Sequence, residues 1–516
     1  MAELGFWNVA RDNPDHIAIV TPDEREIRAG DLLASCNQLV HGLRELGLQP
    51  GDVIATVFNN EEAVLEVYMA AAQAGWYVVP INHHLVAPEI AYILEDSEAK
   101  AFVCSTPFAE SCTKALESVD FPTNARFATS DAPGYQTLAS LKEGQSTELP
   151  KDRAPGTALN YTSGTTGKPK GVRRPMPPMD PDTLGEQYGM FLMLFGIQPK
   201  SDGVHLCGCP LYHTAVLNFS TYSLHMGHTV VIMGKWDPED HLRLSEKYKV
   251  THSHMVPTQF HRLLALPDET RTRYDLSSYS QMIHGAAPCP NETKRKMLDW
   301  WGPCVWEYYA ASEGGGTVIP PSEWLDKPGS VGRPWPISEI RILDDDCQPC
   351  QPNDVGTVYI KMGDIEFEYH GDQGKTEKAW NEGFFTVGDA GYLDEDGYLF
   401  LCDRKSDMII SGGVNIYPAE IESVLFQFPR ISDVAVFGVP HDDWGEEVKA
   451  VIELGEGATA SDTLSDQIIA FCQENLAKYK CPKSVDFIEV MPRDPNGKLM
   501  KRKLRDPFWA GQERQI

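Results

Sequence analysis

Two hydrophobic periodicities alternate through the first third of the chain. Short β-rich runs, Ile17–Val20, Val53–Phe58, Tyr77–Pro80 and Ala101–Cys104, predict strands. Ala29–Leu46 and Ala63–Ala74 carry apolar residues at helical spacing. This βαβ rhythm predicts a largely parallel sheet covered by helices, and similar units continue to about residue 320. From about 328 to 400 the pattern changes to short strands between Gly, Asp and Pro turns, as in Ser338–Leu343 and Gly356–Lys361, which predicts a smaller β-rich subdomain. A break at Cys402–Asp407 precedes a last α/β segment. There Val434–Val439 and Glu447–Leu454 read as strands, and Ser461 as the cap of a helix reaching about Ala477, with Leu464, Ile468, Cys472 and Leu476 on one face. The expected fold is therefore α/β. A large N-terminal domain of stacked βαβ-type sheets with its β-rich subdomain spans 1–403, and a small α+β C-terminal domain spans 404–516.

Size and composition agree with this reading. The 516 residues suggest about three domain-sized units. With 42 % hydrophobic and 23 % charged residues, collagen-like, disordered and coiled-coil classes are excluded. Lys and Arg total 45 against 74 Asp and Glu, a formal charge of −29. So acidic a surface repels nucleic-acid phosphates, and any anionic ligand needs local, focused positive charge. The start of the chain has an early Glu3 and no apolar core of a secretory signal, and the longest apolar stretch, Tyr188 to Ile197, is too short to span a bilayer. A cytoplasmic location is expected, with no membrane span and no nucleic-acid partner. Twelve cysteines suit a reducing compartment. The close pairs Cys207/Cys209 and Cys347/Cys350 lack the partner ligands of a zinc site and read as buried or turn cysteines.

The strongest chemical signal is Tyr161-Thr162-Ser163-Gly164-Thr165-Thr166-Gly167-Lys168-Pro169-Lys170-Gly171. Glycines permit tight turns and close backbone approach, hydroxyls and N–H groups can cradle phosphates, and lysines supply charge. It is not a Walker A loop, because only two residues separate Gly164 from Gly167 and Pro169 follows Lys168.

The loop does resemble the signature of the adenylate-forming superfamily of acyl-CoA synthetases, luciferases and peptide-synthetase adenylation domains. Further matches follow in the same order between about 160 and 500. His284-Gly285-Ala286-Ala287-Pro288 resembles the backbone that lies against adenine. Tyr308-Tyr309-Ala310-Ala311-Ser312-Glu313-Gly314 is similar to the motif in which Tyr309 would stack on adenine, Ser312 would bond the α-phosphate and Glu313 would hold Mg²⁺. Asp389 matches the ribose-binding acid, and Arg404 the nucleotide-contacting residue at the start of a hinge, with Ser406 where the family commonly has Asp or Lys. Ser411-Gly412-Gly413 matches glycines lining the pantetheine tunnel of CoA ligases. Pro495-Asn496-Gly497-Lys498 presents a lysine at the position of the family's adenylation lysine. Cys481 stands where some CoA ligases carry a basic residue near the CoA nucleotide, a contact that Lys483 would supply instead.

The resemblance implies ATP, Mg²⁺ and coenzyme A as cofactor and co-substrates, and a mobile C-terminal domain. A carboxylate would attack the α-phosphorus of ATP to give an acyl-adenylate and pyrophosphate. Fixed donors and a metal would stabilise the developing charge. A thiol would then take the acyl group and release AMP. Leu211-Tyr212-His213-Thr214 resembles the segment gating the acyl pocket, and it lacks the Asp that holds an α-amine in amino-acid-activating relatives. Phe219, Trp236, His254, His284, Gly314 and Gly315 are the other expected pocket positions. Their character predicts a hydrophobic acid, medium or long in chain or bulky and alicyclic, with terpenoid and steroid acids included. Two alternatives stand beside a CoA ligase. One is a stand-alone enzyme loading a separate carrier protein; the other is a non-catalytic nucleotide-binding protein. The near-complete set Lys498, Glu313, Asp389 and Arg404 argues against the latter. The chain is expected as a monomer or homodimer.

Overall fold

Strands and helices form where the hydrophobic pattern places them, most ends shifted by one or two residues, while the strand expected at Val434–Val439 extends to Ile431–His441. Val53–Val57, Tyr77–Ile81 and Ala101–Cys104 are strands, and every residue of the three is buried. Ala29–Glu45 and Glu62–Ala72 are helices. The apolar stretch from Tyr188 is helical, continuing Pro181–Phe191 through the short 3₁₀ turn Leu192–Phe195. Asp180 caps that helix by accepting from Thr183 N at 2.9 Å, and Pro181 pre-sets its first turn. A computed structural model describes residues 4–162, 169–199, 202–404, 407–412, 414–441, 443–455, 457–494 and 498–510. The protein is α/β, in two compact units.

The first unit comprises Met1–Met255, Ala265–Ile283 and Asp364–Lys378. One all-parallel sheet runs in the order Gln136–Thr137, Arg126–Ala128, Ala101–Cys104, Val53–Val57, Tyr77–Ile81, Thr157–Ala158. A second runs His252–Met255, Val204–Cys207, Thr229–Ile232, Ile17–Val20, parallel until Glu26–Arg28 closes it antiparallel. The helix Glu62–Ala72 buries ten of its eleven residues, Glu66 among them, and Lys142 Nζ answers that carboxylate at 2.7 Å. A three-stranded antiparallel sheet joins Asn160–Thr162, Lys170–Arg173 and Glu368–Tyr369. The sequence reading assigns 364–378 to the β-rich segment. The fold instead brings these residues into the first unit, because the backbone of 368–369 completes the pairing of 172–173.

The second unit comprises Val256–Leu264, His284–Gly363 and Ala379–Ile516. Val305–Ala311, Gly314–Ile319 and Arg333–Pro334 pair antiparallel. The β-rich sheet contains Ser338–Leu343, Gly356–Met362, Asp389–Leu393 and Leu399–Arg404, with Trp380–Asn381 and Phe384–Phe385 at one edge. Beyond it, Ile409–Ser411, Val414–Ile416, Ile431–His441, Gly445–Leu454 and Ser484–Ile488 form another sheet. The helices Pro418–Leu425 and Asp462–Asn475 cover its core of Ile409, Ile421, Val436, Ile452, Leu464 and Ile468. Ser461 caps Asp462–Asn475 as its sequence predicts, accepting from Leu464 N at 3.2 Å.

One buried ion pair stands out in this unit. Lys294 Nζ lies 2.6 Å from Glu307 Oε2 and 4.6 Å over the ring of Trp324, with both partners withdrawn from solvent. Burial pushes the Lys294 ammonium down and the Glu307 carboxyl up, and their mutual attraction opposes both shifts. Of the close cysteine pairs, Cys207 and Cys209 are buried, and Cys347 lies exposed at a turn with φ +58°. Among the described residues no helix is long and apolar enough to cross a membrane.

Candidate active site

In the second unit the elements converge on Asp389. It opens the strand Asp389–Leu393, and its cross-strand partner is Arg404, the last residue of Leu399–Arg404. Arg404 Nε stands 3.7 Å from Asp389 Oδ1. From Val305–Ala311, a strand of a different sheet, Tyr309 Oη donates to Asp389 Oδ2 at 2.7 Å. Burial, reinforced by the Asp389 charge, holds the Tyr309 phenol far above its ordinary range, so it stays a neutral donor. After a bulge at Ala310/Ala311 the chain reverses through Ser312 and the buried Glu313 into Gly314–Ile319. Two glycines make this packing feasible. A Cβ at Gly316 would lie 2.3 Å from Tyr309 O, and one at Gly285 2.6 Å from the Tyr308 ring. Ala286 follows in the left-handed region, φ +66°, and Ala287 completes this small-residue loop after the strand Gln281–His284.

Lys498 belongs to the same cluster. Its N–H donates to Asp494 Oδ1 at 2.8 Å, and Asp494 N donates back to Lys498 O at 2.8 Å. Burial lowers the Lys498 ammonium and neighbouring Arg404 lowers it further, while Asp494, Asp389 and Asp407 oppose. Pro495, Asn496 and Gly497 lie outside the described residues.

In the first unit Thr162 and Lys170 face each other across an antiparallel pair, Lys170↔Thr162 and Gly171↔Tyr161, so both ends of the glycine-rich loop are pinned together. Tyr161 Oη donates to Asp96 Oδ2 at 2.6 Å, and Lys170 Nζ sits 4.7 Å over the Tyr369 ring. Ser163, Gly164, Thr165, Thr166, Gly167 and Lys168 lie outside the described residues.

The expected acyl positions divide between the units. In the first, His213 precedes the helix Thr214–Met226, its ring 4.6 Å from that of Tyr212. Phe219 of that helix stacks on His254 at 5.0 Å and meets Phe195 at 5.3 Å. Burial pushes the His254 imidazole down to about 4, leaving it neutral. Trp236 packs over Gly208, where a Cβ would come within 2.6 Å of its ring. In the second unit His284 is fully buried, 5.1 Å from the Phe260 ring and 3.6 Å from Glu307 Oε2. Gly314 and Gly315 adopt φ +132° and +67°, and a Cβ at Gly315 would strike Ile360 at 2.5 Å.

Of the expected CoA positions, Ser411 ends the strand Ile409–Ser411, and Gly412 turns at φ +58°. Gly412 N donates to Trp444 O at 2.8 Å, and a Cβ there would meet the Trp444 ring at 2.5 Å. Trp444 is 58 % exposed. Sequence reasoning passed over it, although an aromatic beside the turn glycine Gly445 is a signal for a surface platform. Lys483 is exposed and Cys481 is buried in the C-terminal core. Gly413 and Ser406 lie outside the described residues.

The sequence model described as "AMP-binding enzyme" matches residues 6–366, and that described as "AMP-binding enzyme C-terminal domain" matches 420–498. The chain belongs to the AMP-binding enzyme family. It is an AMP-forming ligase of the adenylate-forming superfamily. It is 32 % identical to a feruloyl-CoA synthase of Amycolatopsis sp over 98 % of this chain and 99 % of that one. It is also 32 % identical to the long-chain-fatty-acid–CoA ligase FadD13 of Mycobacterium tuberculosis, over 92 % of each. The crystal structure of ATP-bound MatB from Rhodopseudomonas palustris superposes with a TM-score of 0.84 at 30 % identity, over 98 % of this chain and 99 % of that one.

For an AMP-binding enzyme the cluster around Asp389 has the right chemistry. A carboxylate suits a pair of ribose hydroxyls, and two cations, Arg404 and Lys498, suit phosphate oxygens. Among the described residues no group of three or more His, Cys, Asp or Glu could hold a metal ion by itself. Mg²⁺ needs no such cage when one carboxylate, phosphate oxygens and water complete its shell, and Glu313 fits that donor role.

Proposed function

We propose that this chain is an acyl-CoA ligase acting on a hydrophobic carboxylic acid, of medium or long chain or bulky and alicyclic shape. The observation that carries the adenylation step is the half-buried Lys498 within electrostatic reach of Arg404 and Asp389, with Tyr309 bonded to Asp389. Asp389 accepts the ribose hydroxyls. Arg404 and Lys498 bind the phosphate oxygens, and Thr162 and Lys170 hold the ends of a loop that cradles the pyrophosphate. The substrate carboxylate attacks the α-phosphorus, the bond to the β-phosphate oxygen breaks, and pyrophosphate leaves. Ser312 donates to the α-phosphate. Glu313 would hold Mg²⁺, which when bound neutralises charge on the phosphates. The ammonium of Lys498 stabilises the charge gathering on the oxygens around the reacting phosphorus.

In the second half-reaction the thiol of coenzyme A loses its proton and attacks the acyl carbon, and AMP departs. We assign the pantetheine approach to Ser411, Gly412 and Gly413, and nucleotide contact to Lys483. Residues 404–516 act as the mobile part that exchanges Lys498 for this glycine face, pivoting at Ser406. Gating of this kind keeps the adenylate from water. The apolar acid is favoured by Tyr212-His213, which offers no carboxylate to an amine, and by the neutral, stacked pair Phe219–His254. The names of the two relatives, a feruloyl-CoA synthase and a long-chain-fatty-acid–CoA ligase, point the same way.

The test is pyrophosphate release from ATP·Mg²⁺ with octanoate, palmitate, cyclohexanecarboxylate, ferulate, benzoate and acetate, each with and without CoA. Thioester formation with AMP release, fastest for the apolar acids, is the expected result. A best kcat/KM with acetate or benzoate would sink the acid assignment. Pyrophosphate release without a CoA thioester would assign the acceptor to a carrier protein.

A further inference from the structure

The helix Lys501–Arg505 begins three residues after Lys498, and of its four cations Lys501 and Arg505 stand one turn apart. Lys501 Nζ lies 2.8 Å from Glu422 Oε1 and 3.8 Å from Asp403 Oδ2. Arg505 Nη1 lies 3.2 Å from Asp407 Oδ1. The two acids, Asp403 and Asp407, bracket the segment that begins with Arg404. Asp403 is bound tightly in its own right. Its Oδ1 accepts Arg404 N at 2.7 Å, and its Oδ2 accepts Ala419 N at 3.0 Å from the first turn of Pro418–Leu425. Glu422 of that helix also accepts Val436 N at 2.7 Å. Lys501 thus ties three backbone segments together through two carboxylates.

None of these groups has a part in the chemistry described above. Their burial is costly, since two carboxylates and an ammonium withdrawn from water are seldom more stable than apolar residues of the same size. Glu422 and Asp403 are each pushed up by burial, and Lys501 stays cationic because both face it. What such a cluster does supply is a fixed geometry. A helix turn is stiff, so anchoring Lys501 and Arg505 fixes the backbone from which Lys498 departs. The anchors are the residue before Arg404 and the residue three after it. The spacing between Lys498 and Arg404 is therefore set by this clamp.

We propose that Lys501 and Arg505 are positioning residues that clamp Asp403 and Asp407 and so place Lys498 against Arg404 and Asp389 for the adenylation half-reaction alone. The proposal rests on the reading of Lys498 as the adenylation lysine. In the thioester half-reaction Lys498 is not needed, so the clamp should not matter there.

The experiment uses the full chain with the acid turned over fastest among octanoate, palmitate, cyclohexanecarboxylate and ferulate. Acid-dependent ATP–pyrophosphate exchange reads adenylation, and CoA thioester formation from the synthetic acyl-adenylate reads the second step. Lys501→Met is expected to lower the exchange kcat by about tenfold or more, with the KM for ATP and the thioester rate changed less than about threefold. Lys501→Arg should restore exchange. Should Lys501→Met fail to fold, Arg505→Gln removes the more accessible pair and is held to the same readings. Equal losses in both half-reactions, or no loss in exchange, would overturn the clamp while leaving the ligase reading intact. No exchange by the unsubstituted chain with any of the four acids would overturn both.

Discussion

Tyr309 gives its phenolic hydrogen to Asp389 across 2.7 Å, tying the strand Val305–Ala311 to the strand that begins at Asp389. The bond fixes one carboxylate oxygen and aims the other. Tyr309→Phe keeps the ring and removes the donor. A hydrogen bond to a charged group is worth about 1.5 kcal/mol or more, so AMP affinity should fall by about tenfold. Titration calorimetry with AMP checks this, and an unchanged Kd would mean that Asp389 does not depend on Tyr309.

Lys498→Ala should slow adenylation by about 10²-fold or more, the scale of losing one electrostatic donor to a transition state. Thioester formation from synthetic acyl-adenylate should be largely spared. Equal loss in both steps would count against a lysine used in one of them only.

The same lysine makes a pH prediction. Burial and then Arg404 lower its pKa from 10.5. The cation is the working form, so the adenylation rate should decline on the alkaline side, starting below the ordinary lysine value. Removing the neighbouring charge with Arg404→Gln relieves one cause, and the alkaline limb should move to higher pH. A limb that stays in place or moves down would show that Arg404 is not near enough to act on Lys498.

Acid stability should be set by the first unit. Burial lowers His205, His225 and His241 to about 3 and His254 to about 4, from an ordinary 6.5. The unfolded chain therefore takes up protons first. The stability these groups give is complete above about pH 6.5 and is lost as pH falls from there towards 4 and below. The melting temperature should drop steadily across that interval. A flat profile between pH 6.5 and 4 would contradict the neutral burial of these four rings.

Gly412→Ala separates the half-reactions in the other direction. The residue sits at φ +58° with the Trp444 ring 2.5 Å from any Cβ, and a side chain in that region strains the backbone by about 1–3 kcal/mol. The KM for CoA should rise by about tenfold for each 1.4 kcal/mol of that strain felt at the site, with pyrophosphate exchange nearly unchanged. A variant losing exchange first would place Gly412 elsewhere in the reaction.

Local signals carried much of this structure in the sequence. The alternation around Val53–Val57, the Ser461 cap and the steric room that Gly285 leaves for Tyr308 are each legible within a few residues, because periodicity, capping and steric room are local properties. What escaped depends on chain segments that meet only after folding. Glu368–Tyr369 pairs with 172–173 across nearly two hundred residues, and two residues of strand carry no pattern to announce it. Lys501 and Arg505 look like solvated charges until the fold sets Asp403, Glu422 and Asp407 against them. Phe219 and His254 were recognisable as aromatic and amphipathic, but their mutual stacking was not.

The buried pair Lys294–Glu307 constrains how this enzyme can change over time. Glu307 stands two residues before Tyr309, and His284 beside it opens the loop that ends in Ala286 and Ala287. Exchanging either partner alone strands a charge among apolar groups, at a cost of about 3–5 kcal/mol, whereas exchanging both for apolar residues of like volume can be neutral. Single-step drift at these two positions is therefore blocked. Recombination or simultaneous substitution is the open route, and libraries built to retune the backbone around Gly285, Ala286 and Ala287 should vary Lys294 and Glu307 as one unit.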